Sequence, residues 1–456
     1  MLLFLLIPGR NGRKRHIGAT MMKVLLVGGN GREASIAWKL STECIVFCIS
    51  PHENPTILRA TNFSGGKLII GNPTNPEFVA STARENSIDL AFVSSDSPLE
   101  AGVIDALKEA NILCVGPTKA AAEIEWSKSF GRRLVDNVMP EYAPKFWIVE
   151  EEDRCKKLFA ELEKTAVPIV VKPVGLTGGK GVRVMGEHLK TYAEALSYAL
   201  TLLQARTTAG QSVIIEEKVE GTEFTFQVLS DGRNVVPLPA TFDYPYRYEG
   251  DTGPGTGGMG SYSNTSALLP FLTQAHYDTC LLVAQKAIAE LAAMGRPFVG
   301  VLYTGFFVNH HGIKIVEFNA RFGDPECTNI MATLDSPLLP VLEAMARGEL
   351  TSSMIKFKAL ASVTKYLVTP EYAVREGKEH RFTLDIEKIE QDGGRVFFSA
   401  AKSSDAPREY LSTGNSRTVA VTVLGETIRD AASRVNELIQ KYHHGALEFR
   451  RDVGME

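Results

Sequence analysis

Short continuous apolar runs, each bounded by polar or glycine-rich turns, alternate with amphipathic stretches through the first 120 residues. The runs at 23–27, 44–49, 68–70, 90–93 and 112–115 predict buried strands. The segments at 33–40, 78–86 and 99–110 predict helices between them. Strands covered on both faces by crossover helices form a doubly wound parallel sheet, here ending near Pro117.

Beyond residue 120 the pattern changes. A helix is expected over 126–135 and a strand over 146–149. Two short strands at 169–172 and 182–185 flank a glycine-rich loop, followed by a helix at 192–203 and a strand at 213–217. These describe a small mobile unit, about 145–217, closing over a larger α+β unit that continues through a helix at 278–293 and strands at 300–308 and 314–318. The tail from 357 alternates strands with turns. Ile428, Ala431, Val435, Leu438 and Ile439 give one helix there a core-facing stripe. The expected division is an N-terminal Rossmann-like domain at 22–120, a central domain at 121–350 and a C-terminal domain at 351–456. Together they make an α/β and α+β multidomain chain.

Composition narrows the function. The 456 residues are 44% hydrophobic and 22% charged, ordinary for a globular protein. A net charge of -4 supplies no broad basic field, which argues against a nucleic-acid partner. Six scattered cysteines form no C-x-x-C pair and read as buried free thiols of a reducing, cytoplasmic compartment. Residues 1–21 combine an apolar run with later Arg10, Arg13, Lys14 and Arg15. That order suits neither a signal peptide nor a spanning helix, so a dispensable extension is expected and no membrane partner.

Five segments carry candidate chemistry. Gly29, Gly31 and Ala34 satisfy G-x-G-x-x-G/A between strand and helix. That turn suits any phosphate, or equally a tight packing turn, and it leaves a nicotinamide-dependent oxidoreductase as an alternative. The loop from Lys172 through Gly175, Gly178, Gly179 and Lys180 to Gly181 fails the P-loop pattern. Its glycines and two lysines nevertheless suit close approach to a polyphosphate. The strand end at Glu216, Glu217 and Val219 can offer adenine a backbone donor and acceptor. Glu317 and Asn319 alternate with Val316 and Phe318, which puts two oxygen ligands suited to Mg²⁺ on one face of a strand; Arg321 follows with a carboxylate-binding fork. The glycine-rich stretch at 250–261 is expected to be an irregular loop approaching substrate.

Taken together, these segments resemble the phosphoribosylamine–glycine ligases, of the ATP-grasp superfamily, from Met22 nearly to the end of the chain. The resemblance rests on GDTGPGTGGMGSYS at 250–263 and EFNARFGDPE at 317–326, supported by VLLVGGNGRE at 24–33, GPTKAAAEIEWSK at 116–128, GLTGGKGVRV at 175–184 and FRRDVG at 449–454. It implies ligation of glycine to 5-phosphoribosylamine through glycyl phosphate, with ATP and Mg²⁺ or Mn²⁺, by a monomer or small homo-oligomer. Carried over by position, Lys128, Lys172, Gly178, Gly179 and Lys180 would meet the ATP phosphates. Glu216, Glu217, Val219 and Glu223 would hold adenosine, and Glu317 and Asn319 the metal. Arg321, Asp324 and Lys172 would serve catalysis. Gly29, Gly31, Arg32, Asp96, Gly257, Gly258 and Arg321 would contact the other substrates. The chain departs from the family pattern at Ala34, at Val174, at Ser94, Ser95 and Asp96, and over 242–247. The alternative within the class is a ligase joining a different small carboxylate and amine.

Overall fold

The computed structural model describes residues 21–176, 181–205, 210–414 and 416–455. The N-terminal strands are β1 (Lys23–Val27), β2 (Ile45–Ser50), β3 (Lys67–Ile70), β4 (Leu90–Val93) and β5 (Leu113–Val115), in the order β3-β2-β1-β4-β5 with every pairing parallel. All four residues of β4 and the last four of β1 are buried, as the apolar runs require. The helices are α1 (Gly31–Leu40), α2 (Pro55–Ser64), α3 (Pro76–Glu85), α4 (Asp96–Ala101) and α5 (Val103–Glu109).

Local chemistry adjusts several expected elements. The helix predicted over 99–110 is two, because Gly102 adopts φ 88° and ends α4 before α5 begins. The helix predicted over 126–135 breaks at Ser127, which accepts a hydrogen bond from the Phe130 N–H and caps Lys128–Val138. Helix α2 was not predicted, although Asn54 caps it and Pro55 opens it. The stretch at 250–261 is not wholly irregular. Thr252–Gly255 pairs with Tyr246–Tyr248, and Gly260–Ser263 enters the largest sheet.

Among the described residues that sheet has nine strands, one of them, Val235–Pro237, paired at the side to Thr222–Asp231, and it crosses the expected domain limits. Gly312–Asn319, Val299–Asn309, Thr222–Asp231, Thr241–Asp243 and Gly260–Ser263 continue into Ala361–Leu367, Val419–Gly425 and Gly394–Phe398. Helix Ile428–Tyr442 packs on its C-terminal half through buried Ala431, Val435, Leu438 and Ile439. A separate antiparallel sheet, in the order Phe146–Val149, Val213–Glu217, Ile169–Pro173 and Arg183–Val184, carries helices Glu152–Thr165 and Tyr192–Gln204. It has its own core around Phe159, Leu162, Ala199 and Ile215. No helix among the described residues is long and apolar enough to cross a membrane.

The glycines of the first turn are fixed by packing. A Cβ at Gly31 would lie 2.0 Å from the Tyr366 hydroxyl, and one at Gly29 would lie 2.2 Å from Ser50 Oγ. Tyr366 is fully buried and belongs to the C-terminal part of the large sheet, so Gly31 is where the N-terminal domain meets it. We predict that Gly31→Ala destabilises the chain by about 1–3 kcal/mol through overpacking. Urea denaturation checks this, and an unchanged midpoint would mean that Tyr366 yields.

Candidate active site

A cleft of about 1220 Å³ opens between the small antiparallel sheet, the large sheet and the N-terminal domain. One wall is built on strand pairing. Val170 faces Glu216 and Lys172 faces Ile214, so Lys172 and Glu216 are diagonal neighbours on the same face. Lys172 Nζ lies 2.8 Å from Glu216 Oε2. Arg132, from the helix capped by Ser127, grips the same carboxylate with Nε at 2.5 Å and Nη2 at 2.9 Å. All three side chains are buried. Burial alone would raise the Glu216 carboxyl, but Arg132 and then Lys172 hold it below the usual range. Lys172 is lowered by burial, with Glu216 opposing. Both Glu216 oxygens are therefore spent on cations.

The opposite wall shows why the carbonyl of Val316 joins this cluster. In the pairing of Val299–Asn309 with Gly312–Asn319, Gly305 faces Glu317 and Phe306 faces Ile315, so Val316 is the extra residue of a bulge. Its carbonyl accepts from Arg132 Nη2 and, at 3.5 Å, from Lys172 Nζ. Glu317 and Asn319 follow on the cleft side, with Asn319 Nδ2 3.2 Å from Glu317 Oε1. Glu223, Asp243 and Glu326 line the cleft nearby. Glu223 faces its open volume yet is pushed up to about 7, by burial first and then by Glu317. Asp243 is raised by burial, then by Glu326 and Glu223. Among the described residues no three His, Cys, Asp or Glu side chains already stand in a metal-holding group. The donors are nevertheless all hard oxygens, and a divalent cation would relieve their mutual repulsion, so the Glu317 and Asn319 pair fits one.

The third wall joins the N-terminal domain. Arg321 Nε is 3.0 Å from Glu125 Oε1, although the two are out of line for a hydrogen bond; Glu125 Oε2 accepts from the Ala320 N–H at 2.8 Å. Arg321 Nη2 also donates to Asn319 Oδ1 at 3.1 Å. Burial would raise Asp96, but Arg321 and Arg32 keep it low; it begins α4 and accepts from the Ser97 N–H. Arg32 lines the cleft, but its guanidinium is turned inward to Glu33 at 2.7 Å and the Phe322 carbonyl at 3.0 Å. Asp324 Oδ1 accepts from the Tyr366 hydroxyl at 2.7 Å.

The structure thus brings together Lys128, Lys172, Glu216, Glu217, Val219, Glu223, Glu317, Asn319, Arg321, Asp324, Arg32, Asp96 and Gly257 on one cleft. Gly178, Gly179 and Lys180 lie outside the described residues. Gly29 and Gly31 sit behind the cleft wall against Ser50 and Tyr366. The N–H groups of Gly257 and Gly258 are engaged by the Tyr372 hydroxyl and Thr256 Oγ1. Sequence reasoning missed Arg132, Glu125, Asp243 and Arg417, the last of which also lines the cleft. For Arg132 the one available signal was a buried-side arginine in an amphipathic helix.

Fold and cleft together define an ATP-grasp protein: a small antiparallel sheet placed over a larger one, with Lys172 on the first and a Glu–Asn pair on the second. Residues 22–125 match the N domain of phosphoribosylglycinamide synthetase, and residues 126–327 match its ATP-grasp (A) domain. The chain is 39% identical over 433 residues to a phosphoribosylamine–glycine ligase of Methanothermobacter thermautotrophicus, covering 95% of this chain and 96% of the relative. It is 38% identical over 435 residues to that of Pyrococcus furiosus, covering 95% and 94%. The crystal structure of the Thermotoga maritima phosphoribosylamine–glycine ligase shares the fold with a TM-score of 0.76 at 22% identity, over 95% of this chain and all of that one. A biotin carboxylase domain of the Hydrogenobacter thermophilus 2-oxoglutarate carboxylase shares it at 0.68 and 16% identity, over 94% and 92%. The chain belongs to the phosphoribosylglycinamide synthetase family.

Removing Arg132 leaves Glu216 with Lys172 alone, so we predict that Arg132→Ala costs about 3–5 kcal/mol of stability. The acid limb gives a second check. Because the folded pKa of Glu216 is depressed, its contribution is complete above the ordinary carboxyl value of 4.5 and is lost as pH falls through the lower folded value. Stability measured from pH 7 down to pH 3 should therefore fall less steeply below about pH 4.5 in Arg132→Ala than in the wild type. Equal slopes would remove Glu216 from the acid transition.

Proposed function

We propose that the chain catalyses ATP-dependent ligation of glycine to 5-phosphoribosylamine in purine biosynthesis, releasing glycinamide ribonucleotide, ADP and phosphate. The observation that carries this reading is the cleft itself, where Lys172, Glu317, Asn319 and Arg321 converge in a chain of this family.

A glycine carboxylate oxygen attacks the γ-phosphorus of ATP and ADP leaves, giving glycyl phosphate. The phosphoribosylamine nitrogen then attacks the acyl carbon, phosphate leaves with the bridging oxygen, and the nitrogen loses a proton. Lys128 and Lys172 lie where they can meet the phosphates. Glu216, anchored between Arg132 and Lys172, fixes the lysine in place and stands behind the adenosine site. Glu217, Val219 and Glu223 line the cleft, so that the chain at Glu217 and Val219 would edge the base and Glu223 would face the ribose hydroxyls. Glu317 and Asn319 would hold Mg²⁺ or Mn²⁺, which when bound neutralises phosphate charge. Arg321, steadied by Glu125 and Asn319, offers its fork to the glycine carboxylate or the acyl phosphate. Asp324 lies further along the same segment, where the Tyr366 hydroxyl and the Arg32 N–H of the N-terminal domain reach it. Asp96 and the Arg32 turn edge the pocket for the sugar phosphate. Catalysis of this kind is positioning and electrostatics, and water exclusion protects the acyl phosphate.

ADP release should require ATP, glycine and phosphoribosylamine together, the last generated in place from ribose 5-phosphate and ammonia. ADP formed with another acid or amine, and none with this pair, would leave the ATP-grasp chemistry and remove the substrate assignment. Lys172→Ala and Glu317→Ala should each lower turnover at least about tenfold. Near-normal turnover in either purified variant takes that residue out of the mechanism.

A further inference from the structure

The C-terminal domain sends one arginine into the cleft. Arg417 lies just before strand Val419–Gly425, lines the cleft and is only 12% exposed. Its Nη1 donates to the carbonyls of Gly257 and Asp324 and, at 3.3 Å, to that of Gly258. Nη2 lies 3.4 Å from Asp324 Oδ2, and the guanidinium stacks on the Tyr366 ring at 4.6 Å. Tyr366 in turn donates to the other oxygen of Asp324. One planar cation therefore ties together three carbonyls, one carboxylate and one aromatic face.

The strap at 256–258 depends on such a tie. Gly258 has φ +99°, and a Cβ there would lie 2.7 Å from Pro325, so the strap runs flat against the segment that carries Asp324. Its N–H groups face Tyr372 and Thr256, and its carbonyls face Arg417. The strap is anchored at both ends, by the Thr256 N–H on the Pro245 carbonyl at 2.7 Å and the Met259 N–H on the Tyr244 carbonyl at 2.8 Å, while Gly257 and Gly258 between them lie outside strands Thr252–Gly255 and Gly260–Ser263. Without the arginine, the exposed Gly257 carbonyl and the more buried Gly258 and Asp324 carbonyls would lose the Arg417 donor, at a cost set mainly by the latter two. Asp324 also accepts from the Arg32 N–H at 3.4 Å, so the tie reaches the first turn of α1. Among the described residues, the hydrogen bonds and ion pairs of Lys172, Glu216 and Arg132 go to one another and to the carbonyls of Ile315 and Val316, not to this tie.

We infer that Arg417 is a positioning residue for the acceptor-amine side of the cleft, setting the 256–258 strap and the Asp324 carboxylate against the N-terminal domain. The kinetic half of this inference rests on the proposed ligase activity, and the structural half does not. A lysine keeps the charge at this place but lacks the planar fork that reaches several acceptors at once.

The test compares wild type, Arg417→Ala and Arg417→Lys by amide hydrogen exchange over 250–262 and by steady-state kinetics. Exchange at Gly257 and Gly258 should rise at least about tenfold in Arg417→Ala, with partial recovery in Arg417→Lys. KM for phosphoribosylamine should rise at least about tenfold while KM for ATP stays within about twofold. Unchanged strap exchange in both variants overturns the inference, and so does an equal rise of the two KM values. If the wild type releases no ADP with these substrates, the functional reading fails, and strap exchange alone still decides for or against Arg417.

Discussion

A single buried carboxylate organises the cleft. Glu216 sits on the small sheet, Arg132 on a helix of the central domain, and the bulged carbonyl of Val316 on the large sheet; the guanidinium reaches both of the others. Lys172 completes the cluster from the neighbouring strand. An unpaired carboxylate in that place would carry a large desolvation cost, and two cations there would repel one another without it. The three groups are therefore stable only as a set, and the set fixes the height of the small sheet above Glu317 and Asn319. In this way a stability constraint becomes a geometric one: the lysine expected to meet phosphate cannot wander without exposing Glu216.

The cleft divides its charge into zones. Cations gather where phosphates are expected, at Lys128, Lys172 and Arg321. Carboxyls gather around Glu223, Asp243, Glu317 and Glu326, where burial and mutual repulsion raise several of them. Such an arrangement is poorly satisfied alone and well satisfied once a divalent cation and an anionic nucleotide enter together. The buried thiol of Cys327 lies close to this region but is raised by burial and faces Ser35, so it adds no nucleophile.

Much of this was legible in the chain. The parallel sheet followed from continuous apolar runs such as Leu90 through Val93, and Glu317 and Asn319 were found because strand alternation separates them from Phe318. What stayed hidden was long-range. Arg132 lies 84 positions from Glu216 and Arg417 lies 93 from Asp324, and no local pattern marks either pairing. The bulge that frees Val316 depends on Gly305 across the strand pair, beyond the reach of periodicity in one segment. Likewise, the glycines of the first turn matched a phosphate pattern, while at Gly31 the constraint comes from Tyr366, far along the chain. Local rules place elements; contacts between distant elements decide which side chains are left to face a ligand.

In the proposed reaction the cleft activates a carboxylate by phosphoryl transfer before an amine displaces the phosphate. Glycine labelled with ¹⁸O in both carboxylate oxygens follows that step directly. With ATP and phosphoribosylamine present, each released phosphate is expected to carry one labelled oxygen, because the bridging oxygen of glycyl phosphate departs with it. Release of ADP with wholly unlabelled phosphate would rule out this reaction, since the glycine carboxylate would then never have been joined to the γ-phosphorus.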